Sequence, residues 1–211
     1  MKNIYLEFPY INEINSKILN RKEIDNKIYF NLDKTIIYYD DKNKTFNDIG
    51  YINNKKIIDY LVDEDIWYCI DEDIKNEDVV LSIDWNNRYN LMQQYSGIYV
   101  FKNYLKKIYQ INTLDYVIDE NGTYLDIEIL YDELENNFYK IDKILDLSNN
   151  FIDSAIDIEI KDLLVSNSSE IRNIEIDKIV KNEENNARIY LLCGNSLMKI
   201  YHNLYKKKES I

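Results

Sequence analysis

One long stretch near the middle of the chain, Asp84–Ile108, constrains the fold most strongly. It contains no proline, and its apolar residues recur at steps of three and four. They form two adjoining stripes, made of Leu91, Ile98, Phe101, Leu105 and Ile108 in one and Met92, Tyr95 and Tyr99 in the other. This spacing predicts an amphipathic helix of several turns with a wide buried face.

The pair Ser96-Gly97 is unusual inside this predicted helix. A glycine in a helix interior costs about 1 kcal/mol relative to alanine. A small residue is therefore expected to serve a purpose here. Either a neighbouring segment packs close to the helix, or the helix lines a pocket, and the spacing alone favours close packing.

Residues 1–82 predict a small antiparallel β-barrel-like domain. Several short segments are rich in β-branched and aromatic residues, which favour strands. These segments are Lys27–Leu32, Thr35–Tyr39, Lys56–Leu61, Ile66–Ile70 and Val79–Ile83.

Residues 83–211 predict a second, α+β domain in which the central helix packs on an antiparallel sheet. Asn121-Gly122 favours a two-residue hairpin turn, which would pair apolar residues on one face. The expected pairs are Ile118 with Leu125, Tyr116 with Ile127, and Leu114 with Ile129. Further helices are predicted over Tyr131–Asn150 and Leu197–Lys208, and further strands over Ala155–Ile160, Ile171–Ile176 and Ala187–Cys193.

Composition narrows the possible partners and location. The net charge is −12, from 38 acidic and 26 basic residues, so the chain lacks the overall basic field of a typical nucleic-acid binder. Its two cysteines, Cys69 and Cys193, are isolated and indicate free thiols in a reducing compartment. No signal peptide or membrane-length apolar run is present, so we expect a cytoplasmic protein without a membrane partner.

Several segments, in order, resemble the alanyl-tRNA synthetase editing domain and the freestanding AlaX-type editing proteins. The central helix carries Met92-Gln93-Gln94-Tyr95-Ser96-Gly97, where the family reads Met-Gln-Gln-His-Ser/Thr-Gly-x-His. The other matching segments are Phe8–Leu19, Asn31–Tyr38, Asn47–Gly50, Asp84–Arg88 and Arg188–Leu197. The resemblance implies a barrel-like domain, an α+β editing domain, and hydrolysis of alanine-specific tRNA mischarged with serine or glycine.

The family binds zinc through His-x-x-x-His on this helix and a Cys-x-x-x-His segment nearer the C-terminus, and this sequence departs from both. Tyr95 and Tyr99 occupy the two histidine positions, and a phenol is a poor zinc ligand. The second ligand segment is expected between Ile176 and Ala187, where no cysteine or histidine stands. The only histidine, His202, matches no ligand position. We therefore expect no zinc or other cofactor.

Three functions are compatible with these features. The first is a degenerate editing homologue, a pseudoenzyme that keeps the fold, with Gln94, Tyr95, Ser96 and Tyr99 around the former pocket. It would bind tRNA, although the net charge weakens that expectation, or a protein partner or another copy of itself. The second is a zinc-independent deacylase, in which those residues orient water. The third is a small-molecule or protein-binding module that uses the vacated pocket, lined by tyrosines including Tyr104; filling of that pocket by Tyr95 and Tyr99 is favoured over it.

Overall fold

The computed structural model describes residues 1–40, 47–118, 123–159 and 162–209, with the backbone alone at residues 204, 205 and 207–209. The chain divides into two compact units. The first comprises Met1–Tyr89 with Ile160–Leu163, and the second Asn90–Glu159 with Leu164–Ile211. Whether residues 1–82 and 83–211 fold as independent domains stays a prediction.

The first unit is a small β-barrel, as the sequence predicted. Six strands close it in the order β2-β3-β7-β6-β5-β8, and a short parallel pair, β1 with β4, lies beside it. The strands are β1 (Lys2–Asn3), β2 (Glu13–Ile24), β3 (Lys27–Leu32), β4 (Lys34–Thr35), β5 (Gly50–Ile52), β6 (Lys55–Val62), β7 (Ile66–Ile70) and β8 (Asp78–Ile83), and a 3₁₀ turn spans Ile4–Leu6. Apolar side chains fill the barrel, among them Phe30, Leu32, Ile52 and Leu81.

Two barrel elements differ from the sequence expectation. The longest strand, β2, was not among the strands predicted from residue pattern, because only Ser16 and Ile18 are buried along it and its other residues are largely polar. The strand predicted over Thr35–Tyr39 ends at Thr35. There the Thr35 hydroxyl accepts a hydrogen bond from the backbone N–H of Ile37, 3.0 Å away, and this local bond turns the chain out of the ladder.

The predicted central helix is confirmed as α1 (Trp85–Tyr109). Its first turn is capped by Asp84, whose carboxylate accepts from the N–H of Asn87 at 3.1 Å. One turn on, Arg88 is fully buried and forms a bidentate ion pair with the equally buried Asp48. Its guanidinium also donates to the carbonyl of Pro9 at 2.8 Å. This pair joins the start of α1 to the barrel within the first unit.

The second unit confirms the α+β class. Its antiparallel sheet has the strand order β11-β12-β10-β9. The strands are β9 (Thr113–Val117), β10 (Thr123–Leu130), β11 (Ile174–Lys181) and β12 (Asn186–Cys193). The helices, besides α1, are α2 (Tyr131–Glu135), α3 (Phe138–Asp153) and α4 (Gly194–Glu209), with a 3₁₀ turn over Ser168–Ile171. No helix in the described ranges combines the length and hydropathy needed to cross a bilayer.

The β9–β10 pair forms, but its predicted register is wrong by two residues. Leu125 pairs with Tyr116 rather than Ile118, and a bulge after Asp126 then sets Ile127 opposite Thr113. A shift of two alone would keep each side chain on its predicted face. The bulge leaves Leu114 48% exposed instead of paired on the apolar face. The predicted Asn121-Gly122 turn lies outside the described residues.

Two further predictions for this unit are wrong. The helix predicted over Tyr131–Asn150 breaks between α2 and α3, where the Asn136 and Asn137 side chains donate to the carbonyls of Asp132 and Glu133 and compete with helical bonding. The strand predicted from Ala155 is reduced to one bridge, between Asp157 and Asn167.

Candidate functional site

The polar residues of α1 in the second unit are largely engaged by backbone groups. The buried amide of Gln93 donates to the carbonyl of Glu170 at 2.7 Å and accepts from the N–H of Asn195 at 2.9 Å. Gly194 has a φ of +55°, and a Cβ added to it would lie 2.4 Å from Gln93 Cδ. Gln93 therefore ties α1 to the start of α4, and glycine is required at 194 for both conformation and space.

Gly97 has a packing role. A Cβ at this position would lie 2.4 Å from the sulfur of Cys193 and 3.7 Å from Ile171 Cγ2. The close-packing explanation of Ser96-Gly97 is thus correct, and β12 supplies the neighbour. Cys193 is wholly buried, and burial raises the pKa of its thiol to about 12. It stays a neutral thiol at physiological pH.

Gln94 and Ser96, two of the predicted pocket residues, are buried in this same packing. Gln94 donates to the carbonyl of Cys193 at 2.8 Å, while its Oε1 has no hydrogen-bond partner in the described part of the chain. The Ser96 hydroxyl accepts from the N–H of Val165 at 3.0 Å. Both side chains hold neighbouring segments against α1. Whether either contacts a substrate stays a prediction.

Tyr95 and Tyr99 lie on a different stripe of α1 from Gly97. Residues four and seven apart stack along one helix face, so Tyr95, Tyr99 and Lys102 form one row, called here the tyrosine–lysine stripe. Tyr95 is half-buried, whereas Tyr99 is 42% exposed. The expectation that both rings fill a buried hole is therefore not met by Tyr99.

Lys102 is the residue on this stripe that sequence reasoning missed. Its ammonium lies 5.7 Å from the centre of the Tyr99 ring and 5.0 Å from that of Tyr116 on β9. It is half-buried, and burial lowers the pKa of its ammonium. The i+7 spacing from Tyr95 could have placed it on the stripe, but its contact with Tyr116 depends on the packing of β9.

The stripe does not fit zinc. Zinc in proteins takes thiolate, imidazole and carboxylate ligands, and the stripe offers two phenols and a cation. Cys193 lies against Gly97, away from the stripe. Within the described ranges, no three side chains of His, Cys, Asp or Glu lie close enough together to hold a metal ion.

The placement of the segment that corresponds to the family's other ligands stays a prediction. Residues between Ile176 and Ala187 form the β11–β12 hairpin. Val165, Glu170 and Ile171, which precede this hairpin, contact α1. This segment also carries neither cysteine nor histidine. The absence of the family's ligand residues therefore does not depend on which segment is aligned.

The closed N-terminal barrel and the α+β unit are the two parts of the fold that the resemblance to editing proteins implied. No family model matches the chain. It is 28% identical to the alanyl-tRNA editing protein AlaX-M of Pyrococcus horikoshii over 168 residues, which cover 75% of this chain and 73% of that protein. It is 25% identical to AlaX-L of the same organism over 157 residues, 69% of this chain and 38% of that protein. The chain is therefore similar to AlaX-type alanyl-tRNA editing proteins, in agreement with the resemblance of its motifs.

Proposed function

We propose that this protein is a catalytically degenerate AlaX-type homologue, which has kept the editing fold but does not hydrolyse mischarged tRNA. Its remaining role is to bind tRNA. The motifs and the relatives support the fold. The chemistry depends on a few side chains of α1.

The main support for the loss of zinc chemistry is the presence of Lys102 on the tyrosine–lysine stripe. Where the family's pattern places two imidazoles, this chain has two phenols and, one turn further, an ammonium near the Tyr99 ring. A positive charge repels a divalent cation. This repulsion is stronger where water is partly excluded. The stripe is therefore electrostatically opposed to the ion on which the family's chemistry depends.

The histidine of the chain and two buried polar side chains of α1 are also poor candidates for the acid–base steps of a metal-free reaction. A general base must lie within hydrogen-bond reach of the water it activates. The only histidine, His202, is an exposed residue of α4. Gln93 and Ser96 are committed to backbone groups. These features favour the degenerate homologue over a zinc-independent deacylase, which is the alternative outcome of the assay below.

Binding to tRNA is proposed from the relatives, which are named for alanyl-tRNA editing. The net charge of −12 means that long-range attraction to phosphates is weak. We therefore expect an affinity that falls with added salt and that depends on a few local cations.

The decisive experiment incubates the protein with seryl-tRNA specific for alanine, with and without added zinc, and follows release of serine. The AlaX-M relative serves as the positive control for the substrate. We expect release at the rate of the protein-free blank under both conditions. Binding of the same tRNA, measured separately in low salt, tests the remaining role, and an absence of binding there would contradict it.

A further inference from the structure

Among the residues that the structure describes, no carboxylate pairs with the positive charge of Lys102. Across the described residues, no acidic side chain forms an ion pair with its ammonium. The chain contains 38 acidic residues, so the lack of a carboxylate partner does not follow from a shortage of acidic side chains. The ammonium has instead lost part of its water to the rings of Tyr99 and Tyr116.

A partly desolvated cation without a counter-charge favours an incoming anion. The two rings attract the ammonium through their electron-rich faces and hold it in place, which lowers the entropic cost of binding to it. They do not neutralise its charge. The phenol hydroxyl groups of Tyr99 and Tyr116 can in addition donate hydrogen bonds to oxygen acceptors.

We propose that Lys102, with Tyr99 and Tyr116, forms a phosphate-binding site on the second unit. A phosphate offers several strongly accepting oxygens and suits a point charge such as a lysine ammonium. The phosphate belongs either to the backbone of an RNA or to a free phosphate ion. The RNA source rests on the proposed function, whereas the free ion does not.

The positions of Tyr99 and Lys102 on α1 suit such a site. The lysine follows Tyr99 by three residues, so both side chains reach the same patch of surface. Tyr99 is 42% exposed, so the patch is open to solvent on that side. A stripe built in this way accepts an anion at the place where it rejects a metal cation.

Four full-length proteins test the site: wild type, Lys102→Met, Lys102→Arg and Lys107→Met. Lys107 is an exposed lysine of the same helix, so its replacement removes the same charge away from the two rings. Inorganic phosphate is titrated against each and followed by NMR, and deacylated alanine-specific tRNA is titrated in a separate arm.

We expect Lys102→Met to weaken binding of at least one probe by about tenfold or more, as loss of a charged hydrogen-bond partner does. Lys107→Met is expected to bind within about twofold of wild type, and Lys102→Arg to retain most of the affinity, because each keeps a cation between the rings. An effect on both probes, or on phosphate alone, identifies a general phosphate site, and an effect on tRNA alone identifies the RNA backbone as the source.

The proposal is overturned if Lys102→Met binds both probes as Lys107→Met does, or if wild type binds neither. A purely structural role for Lys102 would lower the melting temperature of Lys102→Met while leaving it equal to Lys107→Met in binding. Hydrolysis of seryl-tRNA by the wild type would contradict the proposed function, but it would not change the phosphate arm, so the two failures are distinguishable.

Discussion

Gly97 on α1 faces Cys193 at the end of β12 so closely that a methyl group on residue 97 would lie 2.4 Å from the cysteine sulfur. The glycine of the helix motif therefore lets a strand approach, and the tyrosines on either side of it point elsewhere on the helix. The motif therefore combines a packing residue, Gly97, with tyrosines of the tyrosine–lysine stripe.

Replacement of Gly97 by alanine is expected to destabilise the protein by about 1–3 kcal/mol, because the added methyl group overpacks a filled site. The partner change Cys193→Ala removes the sulfur that the methyl group would meet. Urea unfolding of both single variants and the double variant measures the coupling between them. Additive losses in the double variant would show that the sulfur is not the obstacle.

Removal of one charge from the buried Arg88–Asp48 pair is expected to lower the free energy of unfolding more than the Gly97 change does. Asp48→Asn leaves the guanidinium buried without its counter-charge, which costs about 3–5 kcal/mol. The matched control is Asp78→Asn, whose exposed pair with Lys17 spans 3.7 Å and contributes at most about 1 kcal/mol. Equal losses of unfolding free energy in the two variants would contradict this description of the pair.

The pair between Asp126 and Arg188 predicts a specific acid sensitivity. Hydrogen bonds from the Arg188 guanidinium, at 2.7 and 2.8 Å, hold the pKa of the Asp126 carboxyl below its usual range. A lowered folded-state pKa adds stability above the unfolded-state value, near 3.9, and this stability is lost as pH falls toward the folded-state pKa.

Asp126→Asn is therefore expected to flatten the loss of stability below about pH 4. Asp142→Asn, a change on the exposed side of α3, is the control. The measurement is the melting temperature between neutral pH and strong acid. An acid limb as steep in Asp126→Asn as in the control would show that the ion pair does not contribute to it.

Restoration of imidazoles to α1 tests the charge of the stripe. Tyr95→His with Tyr99→His places two histidines four residues apart, the spacing at which a helix binds a metal ion. We expect weak zinc binding that strengthens about tenfold when Lys102→Met is added, because a nearby cation is removed. Lys107→Met in the same background should change the affinity much less. Calorimetry with zinc would contradict the prediction if the two lysine changes had equal effects.

The sequence predicted the elements whose residues alternate or repeat strongly. β3 and β7 have the bounds that their β-branched and aromatic runs indicate, and α1 follows its apolar stripes. The residue pattern did not predict β2, because a barrel strand with few buried residues has little apolar pattern. The β9–β10 register also escaped prediction, because a bulge is set by tertiary packing and not by the turn residues.

The candidate site, like the fold, could be predicted from the sequence only in part. The positions of Tyr95 and Tyr99 followed from a motif, so the sequence could identify them. The engagement of Gln93 by Glu170 and Asn195, and of Lys102 by Tyr116, joins residues that are distant in the chain. Only the fold brings these groups together.

Release of serine from seryl-tRNA specific for alanine, measured with and without zinc, tests the central claim most directly. The chain is expected to match the protein-free blank in both conditions, with the AlaX-M relative as the positive control. Release above the blank, whether or not it needs zinc, would show that the editing chemistry survives on a helix that carries Tyr95, Tyr99 and Lys102.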